Sequence, residues 1–371
     1  MHEGVVVIGG GVIGCAVAWE LARQGMSVTV MERGEPGHEA TWAAGGMLSP
    51  LSETAHADAF LALSVLSLDR WPAFASRIAA AVHVDVEYRP AGKLHLAFSD
   101  EDAARLEEMR QRGDGFGVQW LSAAEAVRLE PAMNPALTGA LLVGRDHRVN
   151  NRLLGQALWM AAEQAGVQFR LGTAAEALEI DGSSGEPRVT GVRLAGGESV
   201  PAEAVIVAAG AWSQSLAGLP RAIPVAPVRG QMFAVDAEPG WLTHTIEAPG
   251  CYLIPRESGR VVVGATSERV DFAPGPTPSG IAALMQAAAH AAPGIAEMKI
   301  AETWAGYRPG TPDDLPILGM DPAVRGLCYA TGHYRNGVLL APVTAEIVAA
   351  LITSGTSPVD IAAFRPDRFE A

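Results

Sequence analysis

The sequence predicts an α/β chain: a discontinuous Rossmann-type domain on a parallel sheet, joined to a smaller α+β domain whose sheet is mainly antiparallel. Three observations carry this expectation. An all-apolar run, Val5-Val6-Val7-Ile8, passes through glycines into a helical pattern at the N-terminus. Two later runs, around Val205 and from Leu327, have the same look of buried parallel strands. Between them, from about residue 223 to 305, the pattern becomes β-rich. At 371 residues the chain also exceeds the usual limit for one core, which favours two domains.

The first element justifies the term Rossmann-type. Gly9, Gly11 and Gly14 have G-x-G-x-x-G spacing directly after the first strand, with Val12 and Ile13 opening the helix. Gly9 permits a tight turn, Gly11 lets backbone amides approach a pyrophosphate, and Gly14 lets helix and strand pack closely. The helix N-terminus then offers unpaired N–H groups to the phosphates. A second strand ends in Glu32, spaced as a carboxylate that binds a ribose hydroxyl pair, where a 2′-phosphate would be disfavoured. The motif leaves open which dinucleotide is bound.

The next segment, Thr41-Trp42-Ala43-Ala44-Gly45-Gly46-Met47-Leu48, is too irregular for either period and reads as a loop allowing close backbone approach. Residues 58–81 read as a helix interrupted or bent at Pro72, and 100–112 as a charged amphipathic helix. Ser122 with Glu125 makes a capping box. A further helix over 151–165 leads to a short strand over 167–171. Strands follow at 203–210, 225–235, 251–255, 261–266 and 298–304, then 327–330 before a helix over 341–351. The expected division is 1–85, 145–220 and 306–371 for the nucleotide-binding domain, with 86–144 and 221–305 forming the second domain.

Composition excludes several function classes. The net charge of −14 opposes nonspecific nucleic-acid and anionic-membrane binding. No apolar run is expected to reach transmembrane length, and the first strand starts too near Met1 for a signal peptide, so a cytoplasmic location is expected. Cys15, Cys251 and Cys328 are odd in number and form no C-x-x-C, so neither a disulfide framework nor a metal site is expected. Lys93 and Lys299 are the only lysines among 27 basic residues, so an arginine needs local context before it is given a role.

Two turns supply such context. Gly306-Tyr307-Arg308-Pro309 sets an arginine on rigid backbone after an apolar strand, and Gly332-His333-Tyr334-Arg335-Asn336-Gly337 lies before the last helix. Two guanidinium groups converging on one carboxylate would give bidentate recognition that lysine cannot reproduce. Structural salt bridges remain the alternative for each. Tyr252 has a phenol able to donate to the same carboxylate, or it is a half-buried sheet residue. His333 is open between a base and a support for the turn.

The chain as a whole resembles the D-amino-acid oxidase family of flavoproteins, most closely the glycine oxidases linked to making the thiazole of thiamine. The N-terminal glycines with Glu32, the Ala43–Leu48 stretch, Pro227-Val228-Arg229-Gly230-Gln231, Cys251-Tyr252-Leu253-Ile254-Pro255-Arg256, Val263-Gly264-Ala265-Thr266 and the two arginine turns carry it. The resemblance implies FAD, with Gly9 to Gly14 at the pyrophosphate and Glu32 at the adenosine ribose. It further implies cofactor contacts from Arg33, Thr41, Trp42, Gly46, Met47, Leu48 and Ala175. His333, Tyr334, Arg335, Asn336, Gly337, Val338 and Leu339 are implied beside the isoalloxazine. Tyr252, Arg308 and Arg335 would anchor the substrate carboxylate, and Ser267, smaller than the residue glycine oxidases can carry there, would admit larger amino acids.

The implied activity is oxidative deamination of glycine and other small amines or D-amino acids. A hydride leaves the α-carbon for the flavin, the imine hydrolyses, and O2 becomes H2O2. The resemblance implies no obligatory side-chain base, so activity rises with pH as the substrate amine loses its proton. A dehydrogenase passing electrons to a quinone or carrier, as a subunit of a heteromeric complex, is the alternative, and a noncatalytic nucleotide-binding module a third. The family also suggests a homo-oligomer.

Overall fold

The structure, a computed structural model, describes residues 4–53, 58–183 and 185–370. Its first sheet has the strand order Ile317–Met320, Leu327–Thr331, Ala204–Val207, Val5–Ile8, Val28–Glu32, Gln168–Leu171. Every neighbouring pair is parallel except Ile317–Met320 with Leu327–Thr331. The all-apolar strands are explained by burial on both faces. Val5 and Val7 face a core with the helices Val12–Arg23, Ala59–Val82, Asn151–Gln164 and Gly337–Ser354. Val6 and Ile8 face a second core on the other side, as alternation along a strand requires.

A three-stranded antiparallel sheet, Ala175–Asp181, Arg188–Leu194 and Ser199–Pro201, covers that other side. No strand is expected from the sequence over these residues. The strands are short and exposed along one face, so their apolar alternation is weak.

The third sheet has eight strands, ordered Lys299–Gly310, Ala226–Asp236, Arg260–Gly264, Cys251–Pro255, Thr245–Ala248, Lys93–Ala97, Gly139–Val143, Val118–Ser122. Only Thr245–Ala248 with Lys93–Ala97 is parallel. The edge strand Lys299–Gly310 runs past residue 305 and carries Arg308 within its final turn of sheet pairing.

Several local expectations differ in detail. Ala59–Val82 continues through Pro72 as one helix, because buried Trp71 and Phe74 anchor it on both sides of the proline. The expected loop over 41–48 contains a short helix, Ala40–Ala43, and the strand Met47–Leu48 paired with His147–Arg148. The expectation of no span-length apolar segment fails at Gly337–Ser354, which has 18 residues and mean hydropathy 1.8. That helix is the central core helix, packed against Val12–Arg23 and Ala59–Val82. The three cysteines are buried and free, and no cluster of metal-binding side chains occurs among the described residues.

Candidate active site

The glycine motif builds a cradle that side chains would fill. Gly9 has φ of +108°, and a Cβ there would lie 2.5 Å from the Ala208 carbonyl oxygen. A Cβ on Gly14 would lie 1.9 Å from the Gly9 carbonyl oxygen, so the helix touches the turn backbone to backbone. Gly11 opens the helix without a side-chain cap, and the Val12 N–H donates to Thr41 Oγ1 at 2.9 Å. Glu32 accepts from the Gly10 and Gly34 N–H groups at 2.7 and 2.8 Å. These bonds fix its carboxylate at the end of the second strand.

One cavity runs from this cradle to the eight-stranded sheet. Gly9, Gly11, Val12, Ile13, Glu32, Arg33 and Thr41 line its first part, followed by Gly46, Met47 and Ala175. Arg33 is held 3.6 Å over the Trp212 ring, another lining side chain. At the other end stand Tyr252, Arg308, His333, Tyr334, Arg335, Asn336, Gly337 and Val338.

Four expected cofactor residues are not on the wall. Gly14 lies beneath it, in the helix contact described above. Trp42 turns the other way, with the Arg152 guanidinium 3.6 Å over its ring and Trp304 against its edge. Leu48 and Leu339 are core residues, 0% and 1% exposed. The Leu339 carbonyl accepts from Ser67 Oγ and Trp71 Nε1, so its role is to seat the last helix on Ala59–Val82. Ser267 is exposed and off the wall, with its hydroxyl 3.4 Å from that of Tyr334.

The far end gathers residues from three distant segments. Arg308 lies over Gly230, where a Cβ would stand 2.5 Å from both terminal guanidinium nitrogens. One of those nitrogens donates to the Thr266 carbonyl at 3.0 Å. Tyr252 stands against Gly264, whose missing side chain leaves room for the phenol. Burial raises the Tyr252 hydroxyl above its ordinary pKa, while Arg308 and Arg335 act on it in the opposite direction. At neutral pH the phenol therefore keeps its proton and remains a donor. The two arginine turns are tied together by the Tyr334 N–H, which donates to the Pro309 carbonyl at 3.0 Å.

Arg335 is not a bare cation. It makes a two-point pair with Glu53, at 2.9 Å from Nε and 3.0 Å from the terminal nitrogen. No local sequence signal marks Glu53, because the partners are 282 positions apart. His333 is buried, sits 3.1 Å from Thr344 Oγ1 and is pushed down to about 3 by burial. It is neutral at pH 7 and supports the turn rather than abstracting protons.

A phosphate cradle and an anion site sharing one cavity define a dinucleotide-dependent oxidoreductase. The chain belongs to the FAD dependent oxidoreductase family, whose profile matches residues 4–351. It is 36% identical over 365 residues to the glycine oxidase of Geobacillus kaustophilus, covering 97% of this chain and 95% of that protein. It is also 36% identical to the bifunctional protein ThiO/ThiG of Trichormus variabilis, where it spans 56% of that protein's length. The crystal structure of the Geobacillus kaustophilus glycine oxidase superposes with a TM-score of 0.93 at 35% identity, covering all of both chains.

The protein is thus an FAD-dependent enzyme of the glycine oxidase and D-amino-acid oxidase type. The residues present fit FAD: the cradle at Gly9 and Gly14 excludes side chains where a pyrophosphate needs backbone.

Proposed function

We propose that this protein oxidises glycine and other small primary or secondary amines and D-amino acids to imines, with hydrogen peroxide as co-product; hydrolysis of the imine releases the 2-oxo acid with ammonia from a primary amine, or with the corresponding amine from a secondary one. The observation carrying this reading is the convergence of Arg308, Arg335 and the protonated Tyr252 at the end of the cavity opposite the phosphate cradle. Gly9, Gly11, Glu32 and Thr41 would hold the nucleotide part of FAD, and His333 to Val338 would lie beside its ring. FAD supplies the two-electron sink for hydride from the substrate α-carbon.

The chain's own part is positioning. Arg308, held by Thr266 and Gly230, offers a fixed guanidinium to one carboxylate, and Tyr252 donates its phenolic hydrogen to the same group. A carboxylate anchored there orients the α-carbon, which turns an encounter into an effectively intramolecular step. The hydride leaves only if the amine nitrogen keeps a free lone pair, so the substrate reacts as the neutral amine.

Anaerobic mixing of the yellow protein with glycine, sarcosine, D-alanine and D-proline tests the reading through bleaching of the flavin. Peroxide release in air then separates an oxidase from a dehydrogenase that passes electrons to a quinone or carrier. Arg308→Ala is expected to abolish substrate saturation while FAD stays bound. Near-normal saturation would refute the clamp.

A further inference from the structure

A group of titratable side chains lies behind the carboxylate end and has no part in the chemistry above: buried Lys93, His95 and Asp146, with half-buried Glu247. Glu247 is cross-strand neighbour to His95 on one side and to Tyr252 on the other. The cluster therefore continues the sheet row that carries the phenol. Lys93 is 1% exposed, forms an ion pair with Glu247 and donates to Ser52 Oγ at 3.2 Å.

Charge matching leaves one carboxyl over. Lys93 is paired with Glu247 and Arg335 with Glu53, while Asp146 is fully buried and has no cation of its own. Among the described residues, neither Asp146 oxygen has an aligned hydrogen-bond donor. A buried carboxylate in that condition is costly to ionise. Burial accordingly raises its pKa to about 7, against the opposing influence of Lys93 and the nearby Ser49 hydroxyl.

Asp146 is connected to the cavity by one residue. The antiparallel pairing ends with Met47 opposite Arg148 and Leu48 opposite His147; extended by one step, that register brings Ser49 alongside Asp146, with no hydrogen bond yet joining their side chains. Ser49 lines the cavity together with Glu53 and Tyr252, and its Oγ is buried without an aligned partner among the described residues. A hydroxyl is donor and acceptor at once, so it can pass a proton from the cavity to a carboxyl behind it.

We propose that Asp146, acting through the Ser49 hydroxyl, takes up the proton that an ammonium-form amino acid must release before its α-carbon is oxidised. This rests on the amine-oxidation reading given above. The substrate N–H bond breaks and its electron pair stays on nitrogen. The proton joins Ser49 Oγ as the serine's own hydrogen moves to an Asp146 oxygen, and nothing is oxidised or reduced in the step. Lys93, Glu247 and Glu53 face Asp146 from three other segments. Its chain neighbours are engaged elsewhere: Arg145 with Asp69, His147 with Tyr88, and Arg148 with the Thr243 carbonyl.

The test is the pH profile of anaerobic flavin reduction in the holoenzyme, with glycine, for wild type, Asp146→Asn and Ser49→Ala. Asp146→Asn is expected to react roughly 10²-fold more slowly at neutral pH and to match wild type where free amine predominates. Ser49→Ala is expected to move the profile in the same direction. Infrared titration of the holoenzyme without substrate should show a carboxylic-acid carbonyl band that ionises near neutral pH and is absent from Asp146→Asn. A loss by the same factor at every pH, or profiles that coincide with wild type, would overturn the proposal while leaving the oxidase reading intact. A wild-type flavin that no amine reduces would overturn that reading itself.

Discussion

The Arg308 guanidinium rests directly on Gly230, across neighbouring strands, with no space between them for even one carbon. A Gly230→Ala substitution must therefore push the guanidinium off its seat, since backbone cannot yield as a flexible side-chain tip can. A displacement of about 1 Å in a positioning group costs on the order of 10²-fold in rate. We expect kcat/KM to fall by roughly that factor with FAD affinity unchanged, as measured by flavin reduction against substrate concentration.

Glu53 competes with any bound carboxylate for Arg335. Its pair is partly solvent-exposed, so the competition is worth only about 0.2–1 kcal/mol. Glu53→Gln should thus tighten a nonreacting carboxylate ligand by a factor of about 1.4 to 5, read from the ligand-induced change in the flavin spectrum. Weaker binding would show that Glu53 holds Arg335 in its useful place.

Gly14 lets the first helix meet the turn at Gly9. Gly14→Ala overpacks that contact, which typically costs about 1–3 kcal/mol. The substitution should lower both the Tm of the apoprotein and its FAD affinity. An unchanged FAD Kd would separate the helix contact from phosphate binding.

His95 and His333 are buried, and burial pushes both down to about 3. An unfolded histidine takes up its proton near about pH 6.5, so the unfolded state binds more protons between these values. Stability is then fully present above about pH 6.5 and falls with acid, by up to about 1.4 kcal/mol per pH unit for each residue. Urea midpoints at neutral and mildly acidic pH should show this slope, and His95→Leu should flatten it. His95 is the better probe, because its Nε2 has no hydrogen-bond partner among the described residues.

The elements most legible in the sequence are those whose reason is local. The strand Val5–Ile8 and its glycine turn announce themselves within ten residues, and Asp100–Arg112 and the Ser122–Glu125 capping box match their expected places. Trp42 and Leu48 show the limit. Their neighbours Thr41 and Met47 line the cavity, but which way a side chain points in an irregular segment depends on the partner strand at His147–Arg148 and on Arg152. The three-stranded sheet over 175–201 was missed because its half-exposed strands carry little apolar alternation.

By itself the sequence determined the nucleotide cradle, the two kinds of sheet and the two arginine turns, all from spacing and residue type over short spans. Only the tertiary structure decided that Glu53 occupies Arg335, that His333 is neutral, and that Asp146 lies buried beside Ser49 with no cation of its own. Charge pairing and desolvation act through space, between groups as far as 282 positions apart in the chain, and no local pattern encodes them.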